Sequence, residues 1–151
     1  MHQEYIVSNF YKFLKLNNID EIKIKLKNKL INFDIKGSFL IGNEGVNGSF
    51  SVKTKDLRKT ISLINSIFND KFKFKLQSHH SHAFLRLKIK IKKEIVTIGK
   101  KSIHPLTVSG QYLSPKEWEE IINCQNVIMI DTRNHYESSI GSFSSSIKVN
   151  S

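Results

Sequence analysis

The stretch Phe84-Leu-Arg-Leu-Lys-Ile-Lys-Ile-Lys-Lys-Glu-Ile-Val96 decides the fold. Leu85, Leu87, Ile89 and Ile91 alternate with Arg86, Lys88, Lys90 and Lys92, the period of a β-strand with one apolar and one cationic face. A strand of that kind needs a sheet whose one side is covered and whose other side meets solvent or a partner. Working outward, Tyr5–Phe13 is rich in β-branched and aromatic residues and predicts a first strand. Asp20 is placed to cap a helix with Ile22, Leu26, Leu30 and Phe33 on one side, although residues 23–29 also alternate as a strand would.

A second strand follows Gly37, in Ser38-Phe-Leu-Ile41. The loop Gly42-Asn-Glu-Gly-Val-Asn-Gly48 comes next, then a third strand over Ser49–Val52. Thr54 can cap a second helix that buries Leu57, Ile61, Ile64 and Phe68 and stops at Asn69-Asp70, and Phe72–Leu76 predicts a further strand. The order strand, helix, strand, strand, helix, strand fits an α+β ferredoxin-like βαββαβ domain over 1–99, with two helices on one face of an antiparallel sheet. The other face stays open.

Charge divides the chain in the same place. Residues 1–99 hold 19 Lys or Arg against 8 Asp or Glu, whereas 100–151 hold 5 against 5, so the whole excess of +11 lies in the first part. That half is a candidate polyanion binder. An AT-rich genome, inflating Lys, Asn and Ile together, is the competing explanation, and it leaves Arg58, Arg86 and Arg133 as the cations least open to drift. No apolar run nears the roughly 20 residues that span a bilayer, and the N-terminus lacks a signal-peptide pattern. The single cysteine, Cys124, makes no internal disulfide; the expected location is cytoplasmic.

Residues 100–113 read as a linker, and 114–151 as the incomplete start of a second, α/β domain. Ser114-Pro-Lys-Glu117 is a helix start with the elements of a capping box, with Trp118, Ile121 and Ile122 as its buried face. Val127–Ile130 predicts a central parallel strand ending in Asp131-Thr-Arg-Asn134, after which no crossover helix or partner strand is expected.

Asn43-Glu-Gly-Val-Asn-Gly-Ser-Phe-Ser51, the run from His82 to Val96, and Ile130-Asp-Thr-Arg-Asn-His-Tyr-Glu137 occur in one order. Together they resemble the rhodanese-domain tRNA uridine hydroxylase family, over about Tyr5 to Ile147. The resemblance implies a ferredoxin-like domain joined to a rhodanese-like one. It also implies tRNA as partner, hydroxylation of wobble uridine to 5-hydroxyuridine, and molecular oxygen as co-substrate. The family's nucleophilic cysteine lies in a Cys-Thr-Gly-Gly-Ile-Arg-Cys loop that does not occur before Ser151. Cys124, ahead of the strand, is no substitute, so no catalytic residue is expected in this chain, which should bind without reacting. The family's Gly-His-Ile-Gly-Ala-like turn here reads Gly141-Ser-Phe-Ser-Ser-Ser-Ile147. Two alternatives stay open: a fragment of a rhodanese-type sulfurtransferase, and a non-catalytic RNA-binding module.

Candidate contacts follow. Arg86, Lys88, Lys90 and Lys92 form a phosphate-tracking stripe or a merely solvated face, with Lys73 and Lys75 as possible additions from a neighbouring strand. Glu44 and Asn47 are polar RNA contacts or parts of a tight hairpin connection. Asp131 and Arg133 stand at the rhodanese rim or act as local supports, and Glu137 is a structural or turn residue. His79, His80, His82 and His104 lack the partners a metal site needs and read as polar loop residues. No metal site is expected, and no resident cofactor or protein partner is identifiable from the sequence.

Overall fold

Alternating apolar residues become a sheet here because every strand finds a partner in register. The computed structural model describes residues 4–95, 110–124 and 126–149. Its contacts divide the chain into two units, Met1–Ser109 and Gly110–Ser151. Most of the expected linker, His104 and the segment from Val96 to Gly99 fall outside the described residues.

The first unit runs β1 (Tyr5–Phe13), α1 (Ile19–Leu30), β2 (Ile35–Gly42), β3 (Gly45–Lys53), α2 (Leu57–Phe68), β4 (Lys75–His79) and β5 (Leu87–Ile91). The sheet order is β4-β1-β3-β2-β5, a ferredoxin-like βαββαβ plan with one strand appended. That added strand corrects the all-antiparallel expectation: β5 pairs parallel to β2, Gly37 beside Leu87 through Ile41 beside Ile91. It is also shorter than its alternation suggests, because pairing with β2 begins only at Gly37, and Leu85 is 95% exposed instead of buried.

Two side-chain layers follow from the registers. Phe10, Val46, Phe50, Val52, Ile35, Phe39 and Ile41 face the helices, whose Leu26, Leu30, Ile64 and Phe68 close the core. Leu87 and Ile89 pack against its border. Phe10 lies among Phe39, Phe50, Phe72 and Phe74 at centroid distances of 4.9–6.3 Å, so one ring links the sheet to the segment entering β4. Gly48 makes room for it: a Cβ there would stand 2.4 Å from Phe10 Cε1. The helix starts differ from expectation. α1 begins at Ile19 after a left-handed Asn18, with Asp20 in its first turn, and a 3-10 turn over Thr54–Asp56 precedes α2, neither helix having a side-chain cap. Asn69, left-handed, ends α2 as anticipated.

The second unit contains α3 (Pro115–Ile122), β6 (Ile130–Asp131), α4 (His135–Ile140) and β7 (Ile147–Lys148). The capping box at Ser114 and Glu117 forms in both directions, at 3.3 and 2.6 Å. A short crossover helix and a partner strand do follow the Asp131 strand, since β6 and β7 pair in parallel. Backbone pairing limits β6 to two residues, and Val127 and Ile128 remain exposed. Trp118, expected on a buried face, is half-exposed and stacks on Phe143 at 6.5 Å.

Candidate nucleic-acid interface

Lys88 and Lys90 point away from the helices. Their register partners on β2 are Ser38 and Leu40, and the same rows continue through Ser49 and Asn47 of β3 to Asn9 and Tyr11 of β1. Lys75 stands beside Asn9 at the far edge. The row Lys88, Ser38, Ser49, Asn9, Lys75 therefore sets hydroxyls and an amide between two cationic edges, four strand spacings or about 19 Å apart. Lys75 is thus on the open face but not on a strand adjacent to the stripe, and Lys73 lies before β4; strand order, not sequence proximity, separates them.

Arg86 and Lys92 flank the strand, and with Ala83, Phe84, Leu85, Lys88 and Lys90 they line a groove of about 630 Å³ over Gly37, Ser38 and Leu40. Among the described residues none of these four cations is in an ion pair, whereas Lys12, Lys25 and Lys53 are paired to Asp70, Glu21 and Asp34. Uncompensated positive charge beside a concave wall is what attracts a polyanion.

The wall is held by a contact no local pattern announces. His82 Nδ1 lies 2.8 Å from Ser51 Oγ and its Nε2 lies 3.0 Å from Asp34 Oδ1, while the ring tilts against Tyr5 at 4.5 Å. A carboxylate only accepts, so Nε2–H donates to Asp34, and in the neutral ring Nδ1 accepts the Ser51 hydroxyl proton. The hydrogen bond from His82 holds the Asp34 carboxyl below its usual range, with help from Lys53. A Ser, His and Asp in line suggest acyl transfer, but Ser51 is fully buried and out of a substrate's reach. The relay fastens the segment carrying Ala83–Arg86 across the open face. His82 is therefore a structural anchor, where the sequence suggested only a polar loop. The signal available was weak: a small polar residue, Ser51, at a position whose alternation puts it on the otherwise solvated side.

The glycine-rich connection is a two-residue hairpin turn, Gly42 pairing with Gly45. Glu44 has a structural task in it. Its carboxylate accepts the Ile95 N–H at 2.7 Å and its carbonyl accepts the Leu14 N–H at 2.9 Å, which ties the hairpin tip to two other segments. Asn47 is half-buried on the open face between Tyr11 and Leu40.

In the second unit Asp131 and Arg133 close on each other. Arg133 Nε and Nη2 donate to the carboxylate at 2.7–3.2 Å, and Nη2 also donates to the Gly141 carbonyl at 2.6 Å. The guanidinium beside it lowers the Asp131 pKa to about 2. Both line a cavity of about 410 Å³ with Trp118 and Phe143. Glu137 accepts the Asn134 N–H at 3.1 Å and caps α4. Cys124 is exposed, its thiol donating to the Glu120 carbonyl at 3.4 Å. Among the described residues no three His, Cys, Asp or Glu side chains converge on a metal position, and no helix is long and apolar enough to cross a membrane.

Residues 5–95 match the UPF0176 acylphosphatase like domain. Over 147 residues, 96% of the chain, the sequence is 35% identical to the tRNA uridine(34) hydroxylase of Legionella pneumophila (strain Corby). Over 149 residues, 97% of the chain, it is 37% identical to the protein of that name in Prochlorococcus marinus (strain MIT 9515). The chain spans 58% and 48% of the lengths of these two relatives.

Proposed function

The chain belongs to the UPF0176 family, and from that premise we propose that these residues are the RNA-gripping part of an enzyme that hydroxylates the wobble uridine of tRNA. The observation that carries the reading is the open sheet face, where Lys88 and Lys90 stand exposed with no carboxylate partner among the described residues. Phosphate contacts position a nucleic acid without reading its sequence. On that basis the stripe sets tRNA in place, and Ser38, Ser49, Asn47 and Asn9 offer hydrogen bonds to ribose 2′-hydroxyls and phosphate oxygens. We assign Gly110–Ser151 to the start of a rhodanese-like domain, with Asp131 and Arg133 as a rigid brace at the carboxyl end of β6 instead of a free anion site. The oxygen atom added by the whole enzyme is assigned to molecular oxygen, and the site of action to the cytoplasm, where tRNA is.

The test is the salt dependence of tRNA binding, read by fluorescence anisotropy on the 151-residue chain and on Lys88→Gln/Lys90→Gln. If each lysine neutralises one phosphate, the double substitution lowers the log–log salt slope by about 1.4–1.8. The affinity lost between 50 and 200 mM salt then shrinks about 7- to 12-fold relative to the parent. An unchanged slope removes the stripe from the interface.

A further inference from the structure

A second basic groove lies on the helix layer. It is a shallow, largely open depression between the end of α1 and the start of α2, lined by Lys29, Arg58 and Lys59 together with Phe33 and Leu63. All three cations are exposed, and none is in an ion pair among the described residues. Lys29 has an ordinary explanation, because a cation in the last turn of a helix complements the dipole there. Arg58 and Lys59 lack that one. They occupy the first turn of α2, where the dipole disfavours positive charge, and no acidic residue shares that turn. Arg58 is moreover one of only three arginines in a lysine-rich chain, so compositional drift does not account for it.

Topology joins this groove to the sheet-face stripe. α1 leads into the start of β2 at Ile35, and β3 delivers the chain to α2 from Val52, the register partner of Ile35. β5 begins at the same end, where the Gly37 N–H donates to the Arg86 carbonyl. Arg86 therefore stands at the end of the sheet around which one face passes into the other, with Lys36 on the adjacent strand.

We propose that Lys29, Arg58 and Lys59 form a second phosphate-binding groove for the same tRNA, so that one stretch of RNA backbone turns around the end of the sheet from Lys88 and Lys90 to the helix layer. Charge complementarity selects the occupant: three cations in no ion pair among the described residues, beside apolar Phe33 and Leu63, suit phosphodiesters whose riboses or bases cover those two side chains. The proposal rests on the tRNA reading above and adds its path.

The experiment compares Arg58→Gln/Lys59→Gln, Lys88→Gln/Lys90→Gln and the quadruple variant by tRNA anisotropy across 50–200 mM salt, with circular dichroism to establish that each folds. The expected result is that each pair shrinks the salt-driven affinity loss about 7- to 12-fold and that the quadruple variant shows the product of the two. Poly-glutamate is the competing polyanion, and it should displace tRNA poorly. If only the Lys88/Lys90 pair alters the slope, the second groove is refuted and the sheet-face reading stands. If only the Arg58/Lys59 pair does, the sheet-face reading falls and RNA sits on the helix layer alone. Displacement by poly-glutamate at charge concentrations equal to tRNA would make the groove a general acidic-polymer site and overturn its assignment to RNA.

Discussion

Replacing His82 with phenylalanine keeps a ring over Ser51 and against Tyr5 but removes both nitrogens that bind Ser51 and Asp34. The Ser51 hydroxyl, fully buried, then has no acceptor, and a buried polar group left unsatisfied costs about 1–3 kcal/mol. The half-exposed Asp34 pair adds little, since surface ion pairs contribute about 0–1 kcal/mol. Taking about 2 kcal/mol in all, and about 4–8 °C per kcal/mol for a domain of this size, the melting temperature of the first unit falls by about 8–16 °C. Adding Ser51→Ala in the same chain removes the stranded hydroxyl and restores most of the loss, because deleting both partners is close to neutral. Thermal melts followed by circular dichroism at pH 7 measure both changes. A His82→Phe chain that melts with the parent, or one that Ser51→Ala fails to rescue, would refute the anchoring role. The same variant should also weaken tRNA binding, because the groove wall from Ala83 to Arg86 loses its tether.

Further outcomes follow from other contacts. Ser8 Oγ is buried with no hydrogen-bond partner among the described residues, so Ser8→Ala should raise the melting temperature, with a gain of roughly 1 kcal/mol or more in stability; a lowered value would mean the hydroxyl is satisfied. The Asp131 carboxyl is held down to about 2, so its contribution is complete above the ordinary carboxylate value and is lost as pH falls from there toward 2. Trp118, the single tryptophan, reports on this unit. Its fluorescence in an acid titration should show a transition in that window for the parent, and Asp131→Asn should reduce it, leaving the part that belongs to Glu117, whose hydrogen bonds with Ser114 also hold its carboxyl low. These 151 residues, supplied alone to a strain lacking its own tRNA uridine hydroxylase, should restore no 5-hydroxyuridine. Their one cysteine, Cys124, follows α3 and precedes β6. Mass spectrometry of the wobble nucleoside decides this, and restoration would overturn it.

What the sequence disclosed was local. The capping box at Ser114, the helix stop at Asn69 and the apolar side of α1 are each set within a few residues, and each formed. Alternation in residues 87–91 likewise fixed which side of β5 meets the core. Long-range pairing was not legible. That β5 runs parallel to β2, and that Lys75 sits at the opposite edge, follow from strand order, which alternation does not encode. The His82 relay joins residues 31 and 48 positions apart, so neither partner stood near it in the chain. Glu44 suggested a ligand contact because its glycine-flanked loop is short and polar, and only the fold brings the Ile95 N–H to it. In the second unit Ile147 and Lys148 gave no strong strand signal, and their pairing with Ile130 and Asp131 emerges only once α4 turns the chain back.

The most direct measurement is lysine acetylation footprinting of the 151-residue chain with and without saturating unmodified tRNA, read residue by residue by mass spectrometry. Lys88 and Lys90 should become protected when tRNA is bound, while Lys27, exposed on α1 and lining neither groove, reacts as in the free chain. Lys88 and Lys90 acetylated at an unchanged rate in a chain that remains bound would contradict an RNA-facing sheet.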